Sequence, residues 1–153
     1  MIVQSIDPSI LGKYSLFNGL EKEQMDFLLP LLEQEVFEGT TEIVADGDRS
    51  DKLRLILVGR VAVFKGGRLL MELAEGDVFG EMEILDVGPS DTTVKALTST
   101  KVISLSIDAF GSIYEKDIEI YSFLFMNLAR DLARRQRRVD AKTSSRSPPM
   151  DWS

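Results

Sequence analysis

From residue 39 to residue 80 the chain is cut by glycines at 39, 47, 59, 66, 67, 76 and 80, and the segments between them have the length of strands rather than helices. Leu53, Leu55 and Leu57 alternate with Arg54, Ile56 and Val58. That segment is apolar on both faces, so it belongs inside a sandwich rather than at its surface. Residues 61–64 read as the next strand, Gly66-Gly67 as a two-residue hairpin turn, and residues 68–73 as the returning strand. Residues 94–97 and 101–107 continue the pattern, with Ile103, Leu105 and Ile107 on one face. Short strands punctuated this way predict an antiparallel sandwich or barrel.

The flanks have a helical period. Leu20, Met25, Leu28 and Leu29 share a face, and Pro30 ends that helix. Ser106 or Asp108 can cap a short helix to about residue 115, and Asp117 can start a longer one to about residue 139. On the longer helix Tyr121, Leu124, Phe125, Leu128 and Leu132 recur at three and four residues. That stripe packs either on the barrel or in a dimer seam, and the helix running on past the barrel favours the seam, hence a homodimer. Residues 1–15 have no clear period and read as a mobile or loosely packed N-terminal extension. The Ser- and Pro-rich residues 141–153 read as a disordered tail. The expected organisation is one mainly β domain over 16–140, with an N-terminal helix and a long C-terminal helix.

Composition excludes several function classes. The chain of 153 residues has no Cys and no His, which removes disulfides, thiolate chemistry, the usual general base and the commonest metal ligand. Asp46, Asp48, Asp51, Glu81 and Glu83 are on separate loops without a calcium-loop spacing, so neither an enzyme nor a metal site is expected. The net charge of −7 divides unevenly: residues 1–129 hold 11 Lys/Arg against 22 Asp/Glu, and residues 130–153 hold 7 against 3. The body therefore repels nucleic acid, and Arg134, Arg135, Arg137 and Arg138 read best as a solvated helix end. No apolar run reaches the roughly 18 residues of a membrane span, and the first residues lack a signal peptide's basic flank, so a cytoplasmic protein without membrane attachment is expected.

The stretch with chemistry in it is 79–96, where a Gly and a carboxylate precede a short apolar turn, Gly88-Pro89 and a small polar run. Several segments agree in order with a known pattern: Phe37-Glu38-Gly39-Thr40 with Ile43, Asp46-Gly47-Asp48 before 53–61, Gly76-Asp77-Val78-Phe79-Gly80-Glu81-Met82, and Val94 with Ala96. On these the chain resembles the cyclic nucleotide-binding domain family over about 16–139, which implies a double-stranded β-helix, or jelly-roll barrel, over about 34–107. That family is the sensory module of cyclic-AMP receptor-type bacterial regulators, cyclic-nucleotide kinases and gated channels. The resemblance implies that Gly80 lets backbone amides approach a ligand and that a short helix end attracts its phosphate. It also implies that Glu81 accepts hydrogen bonds from a ribose 2′-hydroxyl and that an Arg in the cassette pairs with the phosphate. Arg135 or Gln136, near where the family's last helix meets the base, would fold over a ligand.

The chain departs from this pattern at the Arg, because Pro89-Ser90-Asp91-Thr92-Thr93-Val94 puts Ser90 in its position. Losing one buried charge-assisted bond costs about 1.5–3 kcal/mol, and a carboxylate nearby adds up to about 4 kcal/mol of repulsion at an effective dielectric of about 20. A micromolar site becomes roughly millimolar or weaker. The ligand-binding candidates are Phe79, Gly80, Glu81, Met82, Ser90, Asp91, Thr92, Thr93, Arg135 and Gln136. The expected function is a non-catalytic sensory or regulatory module, with a nucleotide second messenger as its ligand class but a cassette poorly suited to cyclic AMP. The alternatives are a ligand-free protein-interaction or dimerisation module, with a protein partner the sequence does not name, and a binder of a guanine-containing nucleotide whose base edge donates to Asp91. Family regulators that bind DNA carry a winged helix-turn-helix after the long helix, and only the Ser/Pro tail follows here. Sequence-specific DNA binding by this chain alone is not expected.

Overall fold

The computed structural model describes residues 6–48, 51–81, 84 and 91–146, with 139–146 as helix backbone. Two antiparallel four-stranded sheets face each other. One has the order β1 (Glu33–Phe37), β8 (Thr100–Ser106), β3 (Lys52–Val58), β6 (Val78–Phe79). The other has the order β2 (Glu42–Val44), β7 (Thr93–Ala96), β4 (Val61–Lys65), β5 (Arg68–Leu73). This is the jelly-roll arrangement that the resemblance implies, and β4 and β5 form the hairpin closed by Gly66-Gly67. Helices α1 (Pro8–Leu11), α2 (Lys22–Leu28), α3 (Ile107–Lys116) and α4 (Ile118–Arg146) lie against the first sheet.

The period of two decides where each side chain goes. On β3 and β8, Ile56 and Val102 are opposite one another and point between the sheets, where they meet Val44, Val61, Val63, Leu73, Phe79 and Val94. Their neighbours Leu53, Leu55, Ile103 and Leu105 point the other way, into a second core built with the helices. The central strands β3 and β8 are therefore buried on both faces, as the doubly apolar Leu53–Val58 segment predicts.

Local signals fix the helix ends. Ser106 caps α3 by accepting from the Ala109 amide at 3.1 Å. Asp117 caps α4 by accepting from Glu119 at 3.1 Å and Ile120 at 3.2 Å. Glu21 and Gln24 form a capping box on α2, and Pro30 lies in the 3₁₀ turn that ends it. Two readings change. The N-terminal extension is packed rather than loose within its described part, because Leu11 is fully buried and the Tyr14 hydroxyl donates to Glu75 at 2.9 Å. The last helix runs to Arg146, so 141–146 are helical, while 147–153 and residues 1–5 are outside the described residues.

The stripe on α4 packs inward. Leu124 and Leu128 are fully buried with Leu16, Phe17, Phe110 and Ile113 in the single chain's core, and Phe110 and Phe125 meet edge to face at 5.4 Å. Asn127, also buried, donates from its amide to the Leu16 carbonyl at 2.8 Å and the Asn18 carbonyl at 2.9 Å. These contacts fix both the position and the rotation of α4 on the barrel. The face turned to solvent carries Ser122, Met126 and Ala129 instead. Among the described residues no helix is long and apolar enough to cross a membrane.

Two outcomes follow from this packing. Leu128→Ala should lower unfolding free energy by about 2–5 kcal/mol, because it leaves a cavity in a filled core, whereas Met126→Ala should change it by less than about 0.5 kcal/mol; urea titration reads both. The second concerns Glu35 of β1, which accepts from Arg54 of β3 at 3.0 Å. Burial opposes its ionisation most strongly, but the Arg54 hydrogen bond and charge, joined by Lys52, outweigh burial and hold the carboxyl below its ordinary value of 4.5. A folded value below the unfolded one means stabilisation that is complete above the unfolded value and lost as pH falls through the folded one. Glu35→Gln should flatten that part of the acid limb when urea midpoints are compared from about pH 6 down to about pH 3.

Candidate functional site

Strand β6 ends at Phe79, and the next two residues place the carboxylate. Gly80 has φ +88°, and a Cβ there would stand 2.4 Å from the Lys52 carbonyl oxygen of β3. A left-handed conformation and a backbone in near contact both demand glycine. The close approach that fixes Gly80 is thus to the chain's own third strand. Glu81 follows at the start of a helical turn and is turned inward, with 4% of its surface exposed.

A buried carboxylate needs a cation or several donors, and α4 supplies the cation. Arg135 Nη1 donates to Glu81 Oε1 at 2.6 Å, and Nη2 donates to the Val78 carbonyl, which lies on the same short strand. Three more contacts continue along that face of the helix. Asp131 accepts from the Ser15 hydroxyl at 2.8 Å, Arg134 reaches Asp131 at 3.3 Å, and Arg138 reaches Asp77 at 3.4 Å. Arg134 and Arg138 are more than half exposed, as a solvated helix end should be, but the Arg135 side chain is only 13% exposed. Sequence reading placed Arg135 near a ligand. It missed Asp77 and the Val78 carbonyl, although Asp131, Arg135 and Arg138 already have the i, i+4, i+7 spacing of one helix face.

Glu81 and Arg135 stand at the edge of a cavity of about 520 Å³ between the second sheet and α4. That volume is within the range of small-molecule sites. Of the sequence-derived candidates, Phe79, Gly80, Glu81, Asp91, Thr92, Arg135 and Gln136 line this one space. Thr93 does not; its hydroxyl accepts from the Asp46 amide at 3.3 Å. Met82 and Ser90 are outside the described residues. The remaining walls are apolar, from Val44, Val63, Leu70, Met71, Leu73, Val94, Leu132 and Ala133, which tertiary packing brings together.

At the other end of the cavity Asp91 is paired. Lys65, the last residue of β4, reaches its carboxylate at 3.0 Å, with both side chains largely exposed. The sequence shows Asp91 as an unbalanced charge because Lys65 is 26 positions away and meets it only through the β4–β7 pairing. Among the described residues no group of three or more His, Cys, Asp or Glu gathers to hold a metal ion. The arrangement offers an apolar space for a flat or ring-shaped ligand, a carboxylate that can accept hydroxyl donors, and a helix that closes over it.

The profile of the cyclic nucleotide-binding domain matches residues 34–117. The chain is 33% identical over 130 residues to the cyclic AMP receptor protein of Thermus thermophilus, a match covering 82% of this chain and 58% of that protein. The Thermus thermophilus catabolite activator protein superposes with a TM-score of 0.69 at 30% identity, covering 84% of this chain and 61% of that one. A cyclic nucleotide-binding domain from Methylobacillus flagellatus gives 0.80 at 22% identity over 93% of this chain and 83% of that one, a likeness of fold. The chain spans 58% of the length of the first curated relatives it matches.

The demand for glycine at position 80 gives a test of the local geometry. Gly80→Ala should destabilise the fold by about 3 kcal/mol or more, since it adds a backbone clash to left-handed strain. Gly47→Ala, at φ +91° but facing open space, should cost only about 1–2 kcal/mol in the same urea titration.

Proposed function

The chain belongs to the cyclic nucleotide-binding domain family, and we propose that within it this protein is a non-catalytic regulatory module with a sugar-binding end and no cationic phosphate anchor. The observation that carries this reading is the buried Glu81, presented to an apolar cavity under α4 and held there by Arg135. A carboxylate so placed suits a vicinal diol. The phosphate end is different: Ser90 stands in the cassette's Arg position, and Asp91 brings a negative charge to the cavity wall. Lys65 offsets Asp91, so repulsion of a phosphate is smaller than for a lone carboxylate, but no Arg lies between Arg68 and Arg130 to replace the missing fork. Cyclic AMP binds this cassette weakly.

The non-catalytic reading draws on the donor set. The chain has no His or Cys, and among the described residues the two carboxylates that line the cavity are each paired with a cation, Glu81 with Arg135 and Asp91 with Lys65. Any output passes through α4, whose solvent face of Ser122, Met126 and Ala129 is smooth enough to meet a second copy or another protein. Because Leu124 and Leu128 are used in the core, a homodimer would form on that outer face rather than on the leucine stripe. A ligand-free interaction module is favoured by one specific observation, the occupation of Glu81 by the chain's own Arg135.

A thermal-shift panel of cyclic AMP, cyclic GMP and cyclic di-GMP on the wild type and on Ser90→Arg tests the reading. Cyclic AMP should leave the wild type unmoved at sub-millimolar concentration. At about a hundred times its Kd it should stabilise Ser90→Arg by about 2.7 kcal/mol, a midpoint rise of roughly 5–10 °C. A wild-type shift with cyclic AMP at micromolar concentration would contradict the missing anchor. A shift with only the guanine nucleotides would assign Asp91 to a base edge, and none in either chain would favour the interaction module.

A further inference from the structure

Arg135 has three nitrogen positions, and their uses differ. Nη1 is spent on Glu81 and Nη2 on the Val78 carbonyl, while Nε is buried without a partner. On the same helix face one turn earlier, Asp131 Oδ2 is likewise buried and unpaired. The two residues line a second cleft of about 320 Å³ between α4 and the β5–β6 turn. The contact that closes the nucleotide cavity is thus a strong ion pair next to unsatisfied polar atoms. Such a partly satisfied network sits near balance, because the low dielectric strengthens the pair and penalises the orphans together.

We propose that Arg135 is a tethered competitor for the sugar subsite: in the ligand-free chain its guanidinium holds the Glu81 carboxylate, and a nucleotide must displace it. The inference rests on the reading of Glu81 as the diol acceptor. One carboxylate with 4% exposure, capped by a guanidinium at 2.6 Å, has little room to receive two sugar hydroxyls as well. The incoming hydroxyls replace the guanidinium's hydrogen bonds on Glu81, and Arg135 is released. Arg138 to Asp77 and Ser15 to Asp131 remain at the end of the helix, and the Arg138 side chain is more than half exposed, so that pair holds weakly. The segment of α4 beyond Leu132, a cavity-lining residue, loses its anchor, and the basic run at 134–138 is freed for another surface. Ligand and helix end are mutually exclusive on one carboxylate, so ligand affinity is reduced by the fraction of chains in the latched form.

Amide hydrogen exchange on the full chain without ligand decides whether the latch exists. Arg135→Gln should speed exchange from Leu132 to Arg138 by tenfold or more, and Glu81→Gln should do the same. Arg134→Gln, which removes the same charge from a side chain 59% exposed, should leave that segment as it was. Unchanged exchange in both Arg135→Gln and Glu81→Gln would overturn the proposal. Competition is read in the Ser90→Arg chain, where adding Arg135→Gln should tighten cyclic AMP binding by about tenfold. Weaker binding there would make Arg135 part of the ligand's own anchor and would also overturn it. A Ser90→Arg chain that binds no cyclic AMP with either residue at 135 sinks the reading of the cassette, while the exchange comparison still upholds or overturns the latch.

Discussion

Burying the Glu81 carboxylate imposes a demand that the barrel cannot meet from its own strands. Phe79 before it is packed between the sheets, Gly80 presses against the Lys52 carbonyl, and the glutamate that follows is 4% exposed. A charge in that position needs a partner, and the partner comes from 54 residues further along the chain. Helix α4 can deliver it because its apolar stripe sets its rotation. Leu124, Leu128 and Arg135 are separated by four and seven residues, so the side that buries the leucines in the helical core also turns the guanidinium toward β6. Asn127, bonded to two carbonyls of the turn before α2, locks the same rotation. Core packing, the C-terminal helix and the site are therefore one mechanical unit.

Much of this was legible in the sequence where the signal is local. The doubly apolar segment at 53–58, the Gly66-Gly67 hairpin, the caps at Ser106 and Asp117 and the break at Pro30 are encoded within a few residues of where they act. Long-range features were not. Residues 6–15 lack a period, yet Leu11 and Tyr14 are buried because the barrel rim at Glu75 and Gly76 comes to meet them. Arg134 and Arg135 are chemically alike and adjacent, and only the position of Glu81 makes one a surface charge and the other an anchor. Asp91 looked unbalanced because its cation, Lys65, belongs to another strand. The leucine stripe pointed to a partner helix yet packs in the chain's own core, since periodicity reports that a face is buried and not what buries it.

In the proposed reading the site combines parts of a nucleotide receptor with a departure at the anion end. Its apolar cavity and inward carboxylate are intact, and the closing helix is already in contact with the carboxylate. The guanidinium nearest the cavity belongs to that helix and not to the loop in which the family resemblance places a phosphate cation. In such a module any ligand and the chain's own helix draw on the same charge, so binding and helix position are coupled without a separate relay.

The most direct measurement is a double-mutant cycle on Glu81→Gln and Arg135→Gln, with the unfolding free energy of the wild type, both single variants and the double variant obtained by urea titration at one pH. If the ion pair docks α4 onto the barrel, the two substitutions interact by about 1–3 kcal/mol, and the double variant is much less destabilised than the sum of the singles. Costs that add to within about 0.5 kcal/mol would show that the two groups act independently and would contradict the account.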